Sequence, residues 1–309
     1  MNKDACFEVA ARCGISLPRT FTVRDSAALR ELEGRLAFPV MVKPLYAREW
    51  RRPGVWERVG QQKAAMIGDF GSLLRFYAAI EEVAPVANVQ EYIPGGDEQL
   101  LVFGSYCRPG GLVRAYFTGR KLLQDPPLKG TGLVVEGRPI ETIVDQSLAL
   151  LRALEFSGIS EVEFKVHADT GVPYLIEVNP RHWDQHHLGT VCGVNLSLEL
   201  YRDVAEPRRL SSPQHDEPPP LQDPGPVRWV AEHDLFHHLL QAALRRDGSW
   251  RPALACARGP RTYSVFDRHD LRPGLRQLRN TAGELRRMAA NRLRAATTRD
   301  RQVPGTHRT

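Results

Sequence analysis

No stretch of this 309-residue sequence approaches the roughly 18 uninterrupted apolar residues that cross a bilayer. The N-terminus, MNKDACFEVAARCG, places Asp4 and Glu8 where a signal peptide needs an apolar run, so export is not expected. No CxxC pair occurs. The five cysteines (Cys6, Cys13, Cys107, Cys192 and Cys256) are odd in number and scattered, which argues against a disulfide framework or a structural zinc site. They fit a reducing compartment, and a cytoplasmic protein is expected. Cys6 and Cys13, seven apart on one helix face, read as small core residues.

Lysine is also scarce: six against thirty-six arginines. Where arginine is so favoured, a retained lysine marks a place that needs a compact phosphate-binding charge. The overall charge of +6 misleads, because residues 272–309 hold ten arginines against Glu284 and Asp300. That leaves the rest of the chain at −2. With 42% apolar and 25% charged residues, wholesale disorder is excluded, and the length suits two or three lobes.

Along the chain, residues 3–13 read as a helix stopped by Gly14. Asp25 or Ser26 caps a helix over 27–36, and Asp69 caps another over 70–83. Strands are read at 38–44, 63–67, 86–93, 98–102 and 112–117, with 45–62 a loop or hairpin. Helices follow at 139–155, 195–204 and 231–246. Seven prolines stiffen 206–226 into a linker.

The hairpin Glu161–His167 and Tyr174–Asn179 carries the chemistry. Alternation puts Val162, Phe164 and Val166 on one face and Glu161, Glu163, Lys165 and His167 on the other. In the second strand Ile176 and Val178 oppose Glu177 and Asn179. A turn centred on Thr170 pairs Phe164 with Ile176, Val162 with Val178, and Glu163 with Glu177. Two carboxylates then stand roughly 5 Å apart, which asks for a cation, a shared proton or screening water. Asn179 adds a neutral oxygen, a donor set that suits Mg²⁺. The same alternation also describes an exposed polar face, and the hairpin alone leaves both readings open.

Taken together, FPVMVKP (38–44), VQEYIPGGDEQ (89–99), VEF (162–164) and LIEVNPR (175–181) occur in the order seen in the ATP-grasp superfamily. Over residues 2–205 the sequence resembles its carboxylate–amine (carbon–nitrogen) ligases, the group of predicted ATP-dependent carboligases. GRKLLQDPP (119–127) and SVFDRHD (264–270) also look like that group.

The resemblance implies an α+β ATP-grasp fold: two lobes clamping ATP, with a small C-terminal segment and a basic tail. It divides the chain into 1–93 (N-terminal helix and small lobe), 94–205 (large lobe with metal site), a 206–226 linker, a 227–280 segment and a partly disordered 281–309 tail. Glu163, Glu177 and Asn179 match the superfamily's ligands for Mg²⁺ (or Mn²⁺). Lys43, Lys3 and Lys63 resemble phosphate-side lysines. Glu91, Tyr92 and Ile93 resemble the adenine hinge, and Glu98 the acid that meets the ribose. Arg181 and Lys121 resemble catalytic cations that meet phosphoryl groups or the acceptor. His182, Trp183, His186 and His187 fall in an expected pocket wall.

Two departures stand out. The loop after Lys43 has only Gly54 and Gly60, and offers Arg48, Arg51, Arg52 and Arg58 instead. The N-terminal α/β domain that usually precedes this pattern is not seen. The expected activity is ATP-dependent joining of a small-molecule carboxylate to an amine. The missing domain leaves a second reading, a catalytically weak nucleotide-binding subunit that relies on a partner protein. Nucleic-acid binding by the tail is a third reading, disfavoured because the tail lacks interleaved aromatics. No membrane partner is expected.

Overall fold

The computed structural model describes residues 3–206, 219, 221, 223, 225–245 and 248–300, without the side chains of Lys3, Asp4, Ala47, 285 and 288–300. Most of the proline-rich stretch therefore lies outside the described residues, as do 301–309, on which the expected disorder of the tail partly falls. Among the described residues no helix is long and apolar enough to cross a membrane.

The chain opens with α1 (Lys3–Arg12) and β1 (Thr20–Val23), then α2 (Ser26–Arg30), whose first turn is capped by Asp25 accepting from Ala28 N at 2.7 Å. β2 (Val40–Pro44) is followed by two single-turn helices, α3 (Ala47–Trp50) and α4 (Val55–Arg58), in place of the expected loop or hairpin. Trp50, Val55 and Val59 are buried there, so this segment is anchored in the core. Next come β3 (Ala65–Ile67), α5 (Phe70–Ile80) and β4 (Ala87–Glu91). Asp69 caps α5, and Leu73, Tyr77 and Ile80 form its buried stripe. The four strands make an antiparallel sheet in the order β1-β4-β2-β3.

The second lobe begins with β5 (Leu100–Arg108) and β6 (Leu112–Asp125), both longer than their sequence pattern showed, and β7 (Thr131–Gly137), which the pattern did not show. All nine residues of β5 are buried, so both faces are covered and alternation disappears from its sequence. After α6 (Val144–Ala153) come β8 (Gly158–Val166), β9 (Pro173–Asn179), α7 (His187–Val191) and α8 (Leu196–Ala205). The C-terminal part supplies β10 (Val227–Val230), α9 (Glu232–Arg245), α10 (Trp250–Cys256), β11 (Arg261–Tyr263) and the long α11 (Leu271–Asp300). β10 pairs with β7, so this segment extends the large sheet, whose order is β11-β10-β7-β6-β5-β8-β9.

Helix α1, grouped by sequence with the first lobe, packs instead on the second. Ala10 and Ile15 share a core with Phe103, Leu150, Phe164 and Leu175, and Leu175 N donates to Ser16 O at 2.9 Å. Cys6 is buried in α1, and burial pushes its thiol up to about 11, as befits an inert packing residue.

On β5, Arg108 makes two bonds to Asp203 of α8, at 2.7 and 2.8 Å, while Tyr106 donates to the same carboxylate at 3.1 Å. Both charges are buried, with side-chain exposures of 4% and 1%. Asp203→Ala strands the guanidinium away from water. It is expected to cost about 3–5 kcal/mol in chemical denaturation, the scale for breaking a buried pair.

Candidate functional site

β8 and β9 pair antiparallel, with Glu163 opposite Glu177, Val162 opposite Val178 and Glu161 opposite Asn179. The expected facing of Glu163 and Glu177 is therefore present. The expected pairing of Phe164 with Ile176 is not, because a bulge after Glu163 sets Phe164 against Leu175. Leu175 enters the core, whereas Ile176 turns toward a cleft that Glu177 and Asn179 also line.

Above these strands the polar face is crowded. Lys121, buried on β6, places its ammonium 3.0 Å from Glu163 Oε1. Burial alone would lower the Lys121 pKa, but Glu163, Glu161 and Glu177 together outweigh it and the net shift is upward. Glu161 is 2% exposed. Its Oε2 accepts from Asn179 Nδ2 at 3.1 Å, while its Oε1 is buried without a hydrogen-bond partner among the described residues. Burial, and then the neighbouring Glu163, hold the Glu161 carboxyl well above the usual carboxylate range, with Lys121 and Asn179 opposing.

The cleft encloses about 670 Å³ between the two sheets, within the range of small-molecule sites. Lys43 reaches it from the end of β2 and donates to Gln90 Oε1 at 2.8 Å. Lys63 crosses from the first lobe to donate to Thr131 Oγ1 at 2.8 Å. Its pKa is lowered by burial first and then by Arg51, with Lys121 and Arg181 adding to the effect and Asp184 opposing it. These cations share one volume. Of the four arginines expected in the 45–62 segment, only Arg51 lines the cleft. Arg52 and Arg58 are turned to the carbonyls of Val83 and Ala79, and Arg48 lies over the Tyr46 ring at 5.5 Å.

Glu91, Tyr92 and Ile93 line the cleft at the end of β4. Glu91 accepts from Arg19 N at 3.2 Å, and the Tyr92 hydroxyl donates to Gly95 O at 3.0 Å. Arg181 lines the cleft too, donating to His182 O at 2.9 Å. Glu98 is placed elsewhere: it is exposed and outside the lining, because Asp97 ties its turn to Gln124 and Leu128. The side chain of Lys3 lies outside the described residues. Of the expected pocket wall, Trp183 lines the cleft, stacked on Phe117 at 5.9 Å, while His182, His186 and His187 do not. His182 turns to Ser197 Oγ at 2.9 Å and His186 to Trp183 O at 2.7 Å.

Comparison with solved structures settles the architecture. N5-carboxyaminoimidazole ribonucleotide synthetase, solved as an ADP complex, superposes with a TM-score of 0.55 at 16% identity, covering 79% of this chain and 59% of that one. Biotin carboxylase from Campylobacter jejuni gives 0.51 at 15% identity, covering 65% and 45%. The chain has the ATP-grasp fold. In sequence, a D-aspartate ligase of Enterococcus faecium (strain Aus0004) is 28% identical over 222 residues, which is 69% of this chain and 51% of the relative. The chain thus spans about half the length of the curated relative it matches. No protein-family model matches it.

Within this ATP-grasp cleft the structure adds residues that the motifs did not single out. Ile176 enters through the bulge. Lys165 is buried and donates to Gly95 O at 2.9 Å and to Gly96 O, fastening the glycine turn that follows β4. Burial lowers the Lys165 pKa, against Asp97 and Glu98. Glu161 was visible as a polar-face residue, but its burial depends on Lys121 from a part of β6 beyond the strand read from sequence. Its disfavoured charge makes a distinctive prediction. Because burial and Glu163 oppose ionisation of this carboxyl, Glu161→Gln is expected to stabilise the metal-free protein at neutral pH. The same change is expected to weaken Mg²⁺ binding about 10-fold to 100-fold, with denaturation and calorimetry as the paired readouts.

Proposed function

We propose that this chain is an ATP- and Mg²⁺-dependent carbon–nitrogen ligase that activates a carboxylate as an acyl phosphate and joins it to an amine. The observation that carries this reading is the facing of Glu163 and Glu177, with Glu161 and Asn179 beside them, at the floor of a cation-rimmed cleft. Three carboxyl groups surround one buried lysine, and Glu161 is buried beside Glu163. That all-oxygen, electron-rich set fits a hard divalent cation such as Mg²⁺. Glu163, Glu177 and Asn179 would hold it, with Glu161 completing the charge. When bound with nucleotide, Mg²⁺ supplies neutralisation of polyphosphate charge.

The chain's own groups do the rest. Lys43 and Lys63 bind phosphate oxygens from the first lobe, and the Glu91–Tyr92–Ile93 segment meets the base, with Ile176 as a second apolar wall. Glu98 could meet ribose only if its exposed turn swings inward. Arg181 steadies the phosphoryl group being moved. A substrate carboxylate oxygen attacks the γ-phosphorus as the bond to ADP breaks. The amine nitrogen then attacks the acyl carbon, phosphate leaves, and the nitrogen loses a proton to give the amide. No side-chain nucleophile is required.

D-aspartate, the compound after which the sequence relative is named, is the first substrate to test, alone and with pooled carboxylates and amines. ADP release that needs both Mg²⁺ and an amine supports the ligase. Nucleotide binding without turnover across the pool favours a binding subunit. No nucleotide binding overturns both.

A further inference from the structure

Away from the cleft, α9 and α11 bring together a second donor set of different chemistry. His233 and His237 are four residues apart on α9, so their rings share one face, with centroids 4.6 Å apart at 79°. Glu284 of α11 reaches between them. Its Oε2 is 3.2 Å from His237 Nε2 and 3.7 Å from His233 Nε2.

The hydrogen bonds around the rings fix which atoms face inward. Thr281 Oγ1 donates to Gln277 O at 3.0 Å, so toward His233 Nδ1, also at 3.0 Å, it can only accept. His233 therefore carries its proton on Nδ1 and turns the lone pair of Nε2 toward Glu284. His237 Nε2 is buried and has no hydrogen-bond partner among the described residues, even though the carboxylate is close. Two imidazoles and a carboxylate thus offer ligand atoms that all lie within 4.8 Å of one another. With both Nε2 atoms unprotonated, that arrangement has room for a cation among the three groups.

We propose that His233, His237 and Glu284 form a site for a divalent transition metal of the zinc class that pins α11 onto α9. Ligands of a tetrahedral ion with bonds of about 2.0–2.1 Å stand about 3.3 Å apart, and the observed 3.2 and 3.7 Å lie around that spacing. Two imidazoles with one carboxylate select zinc over magnesium, which prefers oxygen. Thr281 supplies the outer hydrogen bond that orients a metal-binding histidine. No cysteine is involved. The clamp also suits the described start of α11, where Leu271, Leu275 and Leu278 are each at least half exposed and add little apolar burial.

The test titrates Zn²⁺ into the untagged full chain, stripped with chelator and held in excess Mg²⁺ so that the oxygen-rich cleft is occupied. Calorimetry measures stoichiometry, and hydrogen exchange follows residues 271–300. One Zn²⁺ per chain is expected, with exchange in α11 slowed on binding. Affinity is expected to fall about tenfold or more in His237→Asn and in Glu284→Gln. Glu284 is partly exposed, so its variant should retain the fold even if the histidine variant does not. Absence of stoichiometric binding overturns the proposal, as does binding that neither variant weakens. Protection of α11 that follows pH through the histidine range without responding to Zn²⁺ also overturns it, assigning the cluster to an imidazolium–carboxylate pair.

Discussion

Glu177→Gln is expected to cut ADP formation about 10²- to 10³-fold, equivalent to about 3–4 kcal/mol of lost transition-state stabilisation. The substitution keeps the shape and one carbonyl oxygen and removes only charge. In the cleft, Glu163 and Glu177 face each other beside Glu161 and the buried Lys121, so a divalent cation would offset carboxylate charge there. Losing one carboxylate spoils that balance where phosphate charge must be met. The metal-free variant should be at least as stable as the unmodified chain, because a repelling carboxylate has been removed. Turnover is read by coupled ADP release, and Mn²⁺ affinity is titrated in parallel. Unchanged turnover with unchanged Mn²⁺ affinity would remove Glu177 from the metal set.

Lys121→Met has the second large effect, and its sign depends on the metal. Lys121 is the buried cation among three carboxylates, bonded to Glu163 at 3.0 Å. Replacing it leaves Glu163 without that ammonium, and the metal-free protein is expected to lose about 3–5 kcal/mol. Mg²⁺ binds the same carboxylates and should restore part of this, since a ligand at a hundred times its dissociation constant adds about 2.7 kcal/mol to the state that binds it. Denaturant midpoints with and without Mg²⁺ give both numbers. The gap between variant and unmodified chain should narrow with Mg²⁺. A loss under about 0.5 kcal/mol, the size of an ordinary surface change, would contradict the burial argument.

The centre of the site was legible because β8 and β9 alternate cleanly: Val162 and Val178 fix the register that brings Glu163 to Glu177. The bulge was not legible. Leu175 and Ile176 are both apolar, and composition cannot say which enters the core and which faces the cleft. Periodicity also failed between residues 45 and 62, where two single-turn helices are too short to show it. β10 and β11 are four and three residues long, and β10 gains its order from β7 and β11 from β10 rather than from their own pattern. The Asp25 and Asp69 caps, by contrast, could be read directly, because each satisfies a free amide by local chemistry alone.

The most direct test of the account is a crystal of the chain grown with ADP and Mn²⁺, located by its anomalous scattering. The account predicts a peak about 2.0–2.3 Å from oxygens of Glu163, Glu177 and Asn179, with the nucleotide lying in the cleft between Ile93 and Ile176. A nucleotide bound outside the cleft, or a manganese peak that none of those three residues touches, would contradict it.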